Sequence, residues 1–373
     1  MSPLEIQRAS SGKEAFQIQA NNFCIMLYLH VGTHKTGTST IQQSLRDSRA
    51  ALREEGIAYL EPSFQDIKAG DVMRAKNFDQ NLVKKLSNEF KKAFPKSGDF
   101  STYVLSNEAF SGMPYDGYLN SRIVAQTLRA ALTYPRIKII IYLRSQDQFL
   151  ESLYTQSIHE GGTDSFSDFL KQFQNERSFD YQRIIEDFSD IFGAEQVCVR
   201  SYYRESRDGL LKGFSELIGS QKLMNWQGGD RNRGYSKKAL EIARICNASL
   251  DRPNQAGLRR VLQSVMAKEK GEKYSFFNRE SRQEFLERFS ATNLTVTSRD
   301  REKDTSNFFP PLVNSPSVPE KGGEGINSDQ VARLVIELTQ AKCFRNQTIF
   351  RKIARKVVTK IPLLRMVVQR IRN

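Results

Sequence analysis

The stretch Cys24–Leu45, CIMLYLHVGTHKTGTSTIQQSL, decides the fold of this chain. It opens with an apolar run, Cys24 to Leu29, which is short enough for one buried strand. A glycine-bearing turn follows, and Ile41 and Leu45 then have the spacing of a helix face. A strand, a glycine loop and a helix N-terminus make an anion site, because free backbone N–H groups and the positive end of the helix dipole point at one place. The stretch therefore predicts a phosphate or sulfate cradle.

The side chains of this loop separate it from the loop of nucleotide triphosphatases. Gly32 and Gly37 have the separation found in G-x-x-x-x-G-K-[ST], but the lysine, Lys35, stands two residues before Gly37 instead of after it. The pattern is thus typical of a phosphate-binding loop but not of a Mg-triphosphate enzyme. The alternative is a glycine loop that only turns a strand into a helix. Lys35 contributes a charge, and hydroxyl donors come from Thr36, Thr38, Ser39 and Thr40.

A second anion-binding pattern follows a central strand. The apolar run Lys138–Leu143 ends in Arg144, and Ser152 follows eight residues later. A strand of this kind in a triphosphatase commonly ends in an Asp that helps to hold magnesium. An arginine fork and a directional serine hydroxyl instead suit a phosphate monoester. For Arg144 alone, a surface salt bridge is the alternative.

Together the two motifs resemble the sulfotransferase superfamily, in its bacterial branch. Lys35-Thr36-Gly37-Thr38-Ser39 is similar to the 5′-phosphosulfate loop of that family, and Arg144 with Ser152 is similar to its 3′-phosphate motif. The resemblance covers roughly residues 23–293, with weaker echoes in FDYQRIIEDFSDIFG, NRGYSKKALEIARICN and ERFSATN. It implies 3′-phosphoadenosine 5′-phosphosulfate (PAPS) as the co-substrate and no required metal.

The resemblance also implies roles for individual residues. Lys35 would cover the bridging oxygen of the leaving phosphate, and the loop around Gly37 would hold the 5′-phosphate through the hydroxyls of Thr36, Thr38 and Ser39. The family usually closes a late Arg-Lys-Gly loop over the 3′-phosphate. The nearest candidate here is Gly229–Gly234, which departs from that pattern. Arg231 or Arg233 is therefore either a nucleotide contact or part of an exposed basic turn.

The acceptor hydroxyl needs a general base. Glu108 lies just past the predicted strand Tyr103–Leu105, where the family places a catalytic His or Glu, so it is the leading candidate. Its alternative role is a helix-capping or salt-bridging carboxylate. His34, beside Lys35, is the rival base or else a loop-supporting side chain. His30 is expected to be structural, and His159 is too far along the chain to assign.

Strands that alternate with helices predict an α/β fold, with a parallel sheet flanked by helices and a largely helical C-terminal part. A loose leader is expected over 1–22, the sulfotransferase-like domain over 23–300, a linker over 304–326 and a basic helical tail over 328–373. One helix is predicted over Asp66–Phe94. The predicted strands are Cys24–Leu29, Gly56–Leu60, Tyr103–Leu105, Lys138–Leu143 and Gln196–Arg200.

The tail carries most of the net charge of +14, because residues 342–373 contain ten Lys or Arg and no acid. Apolar residues recur every three or four positions over residues 349–373, which predicts a basic amphipathic helix interrupted near Pro362. Such a helix suits an anionic membrane surface, the protein's own core or a partner helix. Nucleic acid is not expected as a partner. The sequence predicts no signal peptide and no membrane span, and its four cysteines are scattered. These features favour a cytoplasmic location. The basic tail adds peripheral attachment to the inner face of the membrane as a further expectation.

The sequence thus predicts a PAPS-dependent sulfotransferase whose acceptor is a hydroxyl or an amine, with a carbohydrate or glycolipid as the family-level expectation. One alternative is a P-loop kinase that uses Mg-ATP. Another is a catalytically dead nucleotide- or glycan-binding protein. The acceptor and the oligomeric state stay open.

Overall fold

The computed structural model of this chain describes residues 25–95, 99–134, 136–226, 228, 236–248, 250–265, 275–299 and 308–311. Within these ranges, five strands form one parallel sheet with the order β2-β3-β1-β4-β5. The strands are β1 (Met26–His30), β2 (Ile57–Leu60), β3 (Thr102–Ser106), β4 (Ile137–Leu143) and β5 (Val197–Ser201). The α/β class and the parallel sheet flanked by helices are therefore confirmed.

Helices fill the connections and follow the last strand. In chain order they are α1 (Thr38–Asp47), α2 (Arg49–Glu54), α3 (Ala69–Met73), α4 (Gln80–Ala93), α5 (Ser121–Ala131), α6 (Gln146–His159), α7 (Phe166–Lys171), α8 (Tyr181–Phe192), α9 (Tyr202–Asp208), α10 (Leu210–Ile218), α11 (Lys237–Asn247), α12 (Arg252–Val265), α13 (Arg279–Glu287) and α14 (Ser290–Ser298). Short 3-10 turns lie at Glu108–Ser111, Pro114–Asp116, Ala194–Gln196 and Leu223–Asn225.

Both faces of the sheet are covered, as expected for parallel strands that read as continuous apolar runs. Side chains alternate along β4: Ile139 and Ile141 enter the larger core, which contains residues of α4, α5, α6 and α8. Ile140 and Tyr142 enter the smaller core, with residues of α1 and α10. This three-layer packing fixes the carboxyl ends of the strands at one edge.

The carboxyl ends of β1, β3 and β4 meet next to each other. His30 at the end of β1 pairs in register with Ser106 of β3 and with Ile140 of β4. Beyond β1 the chain stays attached to β4, since the N–H groups of Val31 and Thr33 donate to the carbonyl groups of Ile140 and Tyr142 at 3.1 Å each. The sequence order reverses between β1 and β4, and such a switch point is where open α/β sheets bind ligands.

The single helix predicted over Asp66–Phe94 is wrong, because two helices, α3 and α4, occupy that stretch. The Asn120 side-chain amide donates to the carbonyl groups of Met73 and Ala75 at 2.8 and 2.9 Å. These bonds satisfy the carbonyl groups that the end of α3 leaves open. Asp79 then caps α4, since its side chain accepts from the N–H of Asn81 at 2.8 Å.

Several predicted segments fall outside the described residues: the leader 1–22, the turn with Arg231 and Arg233, and the tail 328–373. Of the predicted linker 304–326, residues 308–311 are described. Phe308 in this short piece is fully buried and belongs to the larger core. Among the described residues, no helix is long and apolar enough to cross a membrane.

Candidate active site

The loop between β1 and α1 has a backbone bent by three left-handed residues. Gly32 and Gly37 have φ values of 59° and 81°, and Lys35 has a φ of 65°. A lysine rarely adopts this conformation, which places its Cβ too near its own carbonyl oxygen. The Thr36 hydroxyl donates to the carbonyl of Thr33 at 2.5 Å and closes the turn. Non-glycine residues in this region are concentrated at functional sites.

Gly37 is required for packing as well as for its backbone angle. A Cβ built on Gly37 would lie 2.4 Å from Cδ2 of Leu210 and 3.3 Å from Cε2 of Tyr202. Leu210 begins α10 and Tyr202 begins α9. The absent side chain therefore lets the end of β5 and the helices after it close against the loop.

The loop offers donors that the described protein does not use. The N–H groups of residues 37–39 donate to no backbone carbonyl within the described ranges, and the first such bonds of α1 start at Thr40 and Ile41, which both donate to the Gly37 carbonyl. The Thr38 hydroxyl is buried and likewise has no hydrogen-bond partner among the described residues. Free N–H groups at a helix N-terminus are suited to an anion, and the unpaired Thr38 hydroxyl adds a further donor at the start of α1.

Arg144 lies directly beside this loop. Its Nη1 is 3.4 Å from the carbonyl oxygen of Lys35, and its guanidinium carbon is 5.7 Å from the centre of the Tyr202 ring. Its Nε is buried and without a hydrogen-bond partner in the described part of the chain. The structure thus places Arg144 of the second motif beside the loop of the first, and the arginine retains donors for an anion.

Lys35 is the charged centre of the site. Burial lowers its pKa and the Arg144 guanidinium lowers it further, whereas Glu160 and Glu108 act in the opposite direction. A bound anion would offset both lowering effects and favour the protonated lysine. The electrostatics of Lys35 therefore suit a residue that binds an anion.

Glu108 lies just past β3, in the 3-10 turn Glu108–Ser111, and is partly buried. One of its carboxylate oxygens accepts a hydrogen bond from the Gln42 side chain at 3.2 Å, and Gln42 also donates to the carbonyl of Ser106 at 3.0 Å. Gln42 belongs to α1, so the phosphate loop and the carboxylate are connected through one amide. Glu108 also acts electrostatically on Lys35. This arrangement holds a carboxylate near the loop lysine.

His34 is engaged elsewhere. Its N–H donates to the Tyr118 hydroxyl at 3.0 Å, and its Nδ1 lies 3.2 Å from the same oxygen. Burial, with the charge of Lys35, lowers the pKa of His34 to about 3. An imidazole with so low a pKa takes up a proton poorly near neutral pH. The two contacts with Tyr118 are those of a side chain that supports the loop, the alternative role of His34.

His30 has the structural contacts expected from the sequence. Its Nδ1 lies 2.8 Å from the Ser106 hydroxyl, and its ring packs edge-on against Tyr142. Burial lowers the pKa of His30 to about 3. Ser152 lies in the middle of α6 and is partly buried.

Four further residues near Lys35 were not predicted from the sequence. Glu160 and Arg259 both act electrostatically on Lys35. Burial, with the charges of Arg259 and Lys35, lowers the pKa of His159 to about 4. The Tyr115 hydroxyl donates to Glu160 at 3.1 Å. A signal for His159 existed: it stands seven residues after Ser152, on the same helix face. Arg259 and Tyr115 had none, because packing alone brings them here.

The helix pair α11–α12 is held against the end of α6 that carries His159. The Asn247 amide donates to the carbonyl groups of Ile158 and Gly162 at 2.7 and 2.9 Å. The Gln255 amide bonds back to the carbonyl groups of Asn247 and Leu250 at 3.3 and 3.0 Å. These contacts bring Arg259 of α12 within electrostatic range of Lys35.

The similarity of this chain to known proteins is confined to solved structures. No protein-family model matches the chain, and no curated protein matches it. Among solved structures, the chain is similar to the crystal structure of a sulfotransferase from Alicyclobacillus acidocaldarius, with 18% identity and a TM-score of 0.35. That similarity covers 59% of this chain and 92% of the other. With these values the similarity carries no argument about function, which must come from the site.

Proposed function

We propose that this protein is a sulfotransferase that moves a sulfuryl group from PAPS to a hydroxyl or amine of an acceptor. The observation that supports the proposal is that Arg144 of the second motif lies beside the Lys35 loop of the first. The Lys35 loop has unused N–H donors, and Arg144, 3.4 Å from the Lys35 carbonyl, has a buried Nε without a partner among the described residues. A nucleotide with phosphates at both 3′ and 5′ positions matches two neighbouring sets of donors.

The side of Lys35 formed by the loop 32–40, Arg144 and Tyr202 is here called the nucleotide side. The loop N–H groups and the hydroxyls of Thr36, Thr38 and Ser39 would hold the 5′-phosphate, and Arg144 with Ser152 would hold the 3′-phosphate. Lys35 would neutralise the charge that develops on the leaving phosphate oxygen. Sulfuryl transfer, like phosphoryl transfer, needs mainly in-line positioning and stabilisation of such charge.

The side formed by Glu108, Tyr115, His159, Glu160 and Arg259 is here called the acceptor side. Glu108 would accept the proton of the attacking hydroxyl, since it lies near Lys35 and its orientation is fixed by Gln42. The other groups on this side are polar or charged. Such a lining suits a hydroxyl-rich acceptor, so we propose a carbohydrate or a glycolipid headgroup. An anionic membrane surface as a partner of residues 349–373 stays a prediction.

The direct test is group transfer. The purified protein is incubated with sulfur-labelled PAPS and a panel of soluble oligosaccharides, with EDTA in one series. We expect labelled, sulfated product and an undiminished rate in EDTA, since Lys35 and Arg144 supply the neutralising charge. Phosphorylation of the same acceptors from Mg-ATP would instead indicate a kinase. Binding of PAPS without transfer to any acceptor, or to water, would indicate a nucleotide-binding protein.

A further inference from the structure

The backbone of Arg144 is held from the larger core. The Tyr181 hydroxyl donates to the Arg144 carbonyl at 2.7 Å, and Tyr181 is fully buried. Tyr181 is the first residue of α8, whose N-cap Asp180 accepts from the N–H of Arg183 at 3.2 Å. The carbonyl of Arg144 is therefore bound to the start of a capped helix, and this bond fixes the point from which the arginine side chain extends.

The guanidinium of Arg144 is supported from a different element. It lies 5.7 Å from the centre of the Tyr202 ring, a cation–π contact. The residue before Tyr202, Ser201, caps α9 by accepting from the N–H of Arg204 at 3.1 Å. The same Ser201 hydroxyl donates to the carbonyl of Phe308. Tyr202 is thus positioned by a serine that is itself bound to the chain more than a hundred residues later.

Residues 308–311, here called the strap, contact both supports. Phe308 is fully buried, and its carbonyl accepts the hydrogen bond from Ser201. Phe309 stacks on Tyr181, with ring centres 6.4 Å apart and planes inclined by 23°. The strap therefore packs against Tyr181, which binds the Arg144 carbonyl. It also bonds to Ser201, the residue before Tyr202, whose ring contacts the Arg144 guanidinium.

We propose that Tyr181 and the strap position Arg144 for the 3′-phosphate of the nucleotide, an inference that rests on the proposed function. An arginine fork binds a phosphate well only when its direction is fixed, and fixing it before binding lowers the entropic cost of association. The two supports restrict Arg144 at its carbonyl and at its guanidinium. Residues of the predicted linker thereby determine how strongly the protein distinguishes a 3′-phosphate.

The test compares two nucleotides on the full chain. Dissociation constants for adenosine 3′,5′-bisphosphate and for AMP, which lacks the 3′-phosphate, are measured for wild type, Tyr181→Phe and Phe309→Ala. Tyr181→Phe removes one hydrogen bond, so we expect bisphosphate affinity to fall about 5-fold while AMP affinity stays unchanged. Phe309→Ala is expected to change the ratio in the same direction. Circular dichroism checks that each variant is folded.

Phe192→Ala is the matched control for Phe309→Ala. Phe192 stacks on Phe188 of the same helix, α8, with ring centres 6.2 Å apart, at the opposite end from Tyr181. Phe192→Ala should leave the ratio of the affinities for adenosine 3′,5′-bisphosphate and AMP unchanged. Equal loss of affinity for both nucleotides in Tyr181→Phe, or no loss for the bisphosphate, would overturn the positioning role. A wild-type protein without any preference for the bisphosphate would overturn the proposed function as well.

Discussion

The two sides proposed for the site around Lys35 are built in different ways. The nucleotide side comes mainly from two short segments, the loop 32–40 and Arg144, each at the end of a buried strand. The acceptor side collects Glu108 from one strand end, Tyr115 from a 3-10 turn, the end of α6, and Arg259 from α12. Local motifs therefore specify the first side, whereas tertiary packing specifies the second. The comparison predicts that variants on the two sides affect different kinetic constants.

The largest loss of turnover is expected for a variant of Lys35, where the two sides meet. Lys35→Ala should lower the turnover number by about 10²- to 10³-fold or more, because it removes the charge opposite the leaving oxygen. The fold should be retained, since Lys35 makes no ion pair in the described part of the chain and its side chain is only partly buried. Turnover is measured with labelled PAPS and unfolding by circular dichroism.

Lys222→Ala is the control for Lys35→Ala, because it removes a lysine whose ion pair with Glu54, at 3.1 Å, lies on the surface. It should leave turnover unchanged. Normal turnover in Lys35→Ala would remove the lysine from the mechanism.

Glu108→Gln should separate chemistry from nucleotide binding. The amide keeps the size of the side chain and can still face Gln42, but it cannot accept the proton, so the turnover number should fall by about 10²-fold or more. Affinity for adenosine 3′,5′-bisphosphate should not change. Glu61→Gln, at an exposed ion pair with Arg46, is the matched control. If His34→Ala abolished turnover while Glu108→Gln retained it, the base would be His34.

A pair of milder variants tests the comparison itself. Arg144→Lys, on the nucleotide side, should raise the KM for PAPS about 10-fold, because lysine lacks the bidentate fork. Glu160→Gln, on the acceptor side, should raise the KM for the acceptor about 5-fold, the worth of one ordinary hydrogen bond. Each variant should leave the other KM unchanged. If both variants altered both constants equally, the division into two sides would be wrong.

The smallest expected effect is a change in the free energy of unfolding at acidic pH. Burial lowers the pKa of His30 from 6.5 to about 3, so the unfolded chain binds this proton over a pH range where the folded protein does not. Stability should therefore fall as the pH drops below 6.5, by about 1.4 kcal/mol per pH unit for this histidine. Denaturant unfolding at pH 7.5 and pH 5 should show a weaker pH dependence in His30→Gln than in wild type. An unchanged dependence would contradict a buried neutral His30.

The strands and the loop were predictable because each strand is a continuous apolar run, and the observed ends lie within two residues of the predicted ones. Helix α14 was not predicted. Its sequence, SATNLTVTS, is rich in residues that favour helices weakly, and tertiary contacts hold it in place. One of these is the amide pair of Asn293 with Gln146, at 2.8 and 3.1 Å.

The three segments with weaker family resemblance all form hydrogen bonds at or next to one helix, α6. Tyr181, Asn247 and Asn293 each lie in one of these echoes. Tyr181 bonds to Arg144 just before α6, Asn293 to the first residue of α6, and Asn247 to the end of α6. Sequence spacing could not show that three distant segments converge on one helix. The contacts of the strap could not be predicted from the sequence either, because Phe308 and Phe309 stand in a stretch whose composition favours a linker.

The most direct measurement of the central claim is calorimetric titration of the wild-type protein with adenosine 3′,5′-bisphosphate and with Mg-ATP. Two anion sites that share one nucleotide predict binding of the bisphosphate without magnesium, and weak or no binding of Mg-ATP. The opposite order of affinities would contradict the account and leave a phosphate-binding loop that serves a different nucleotide.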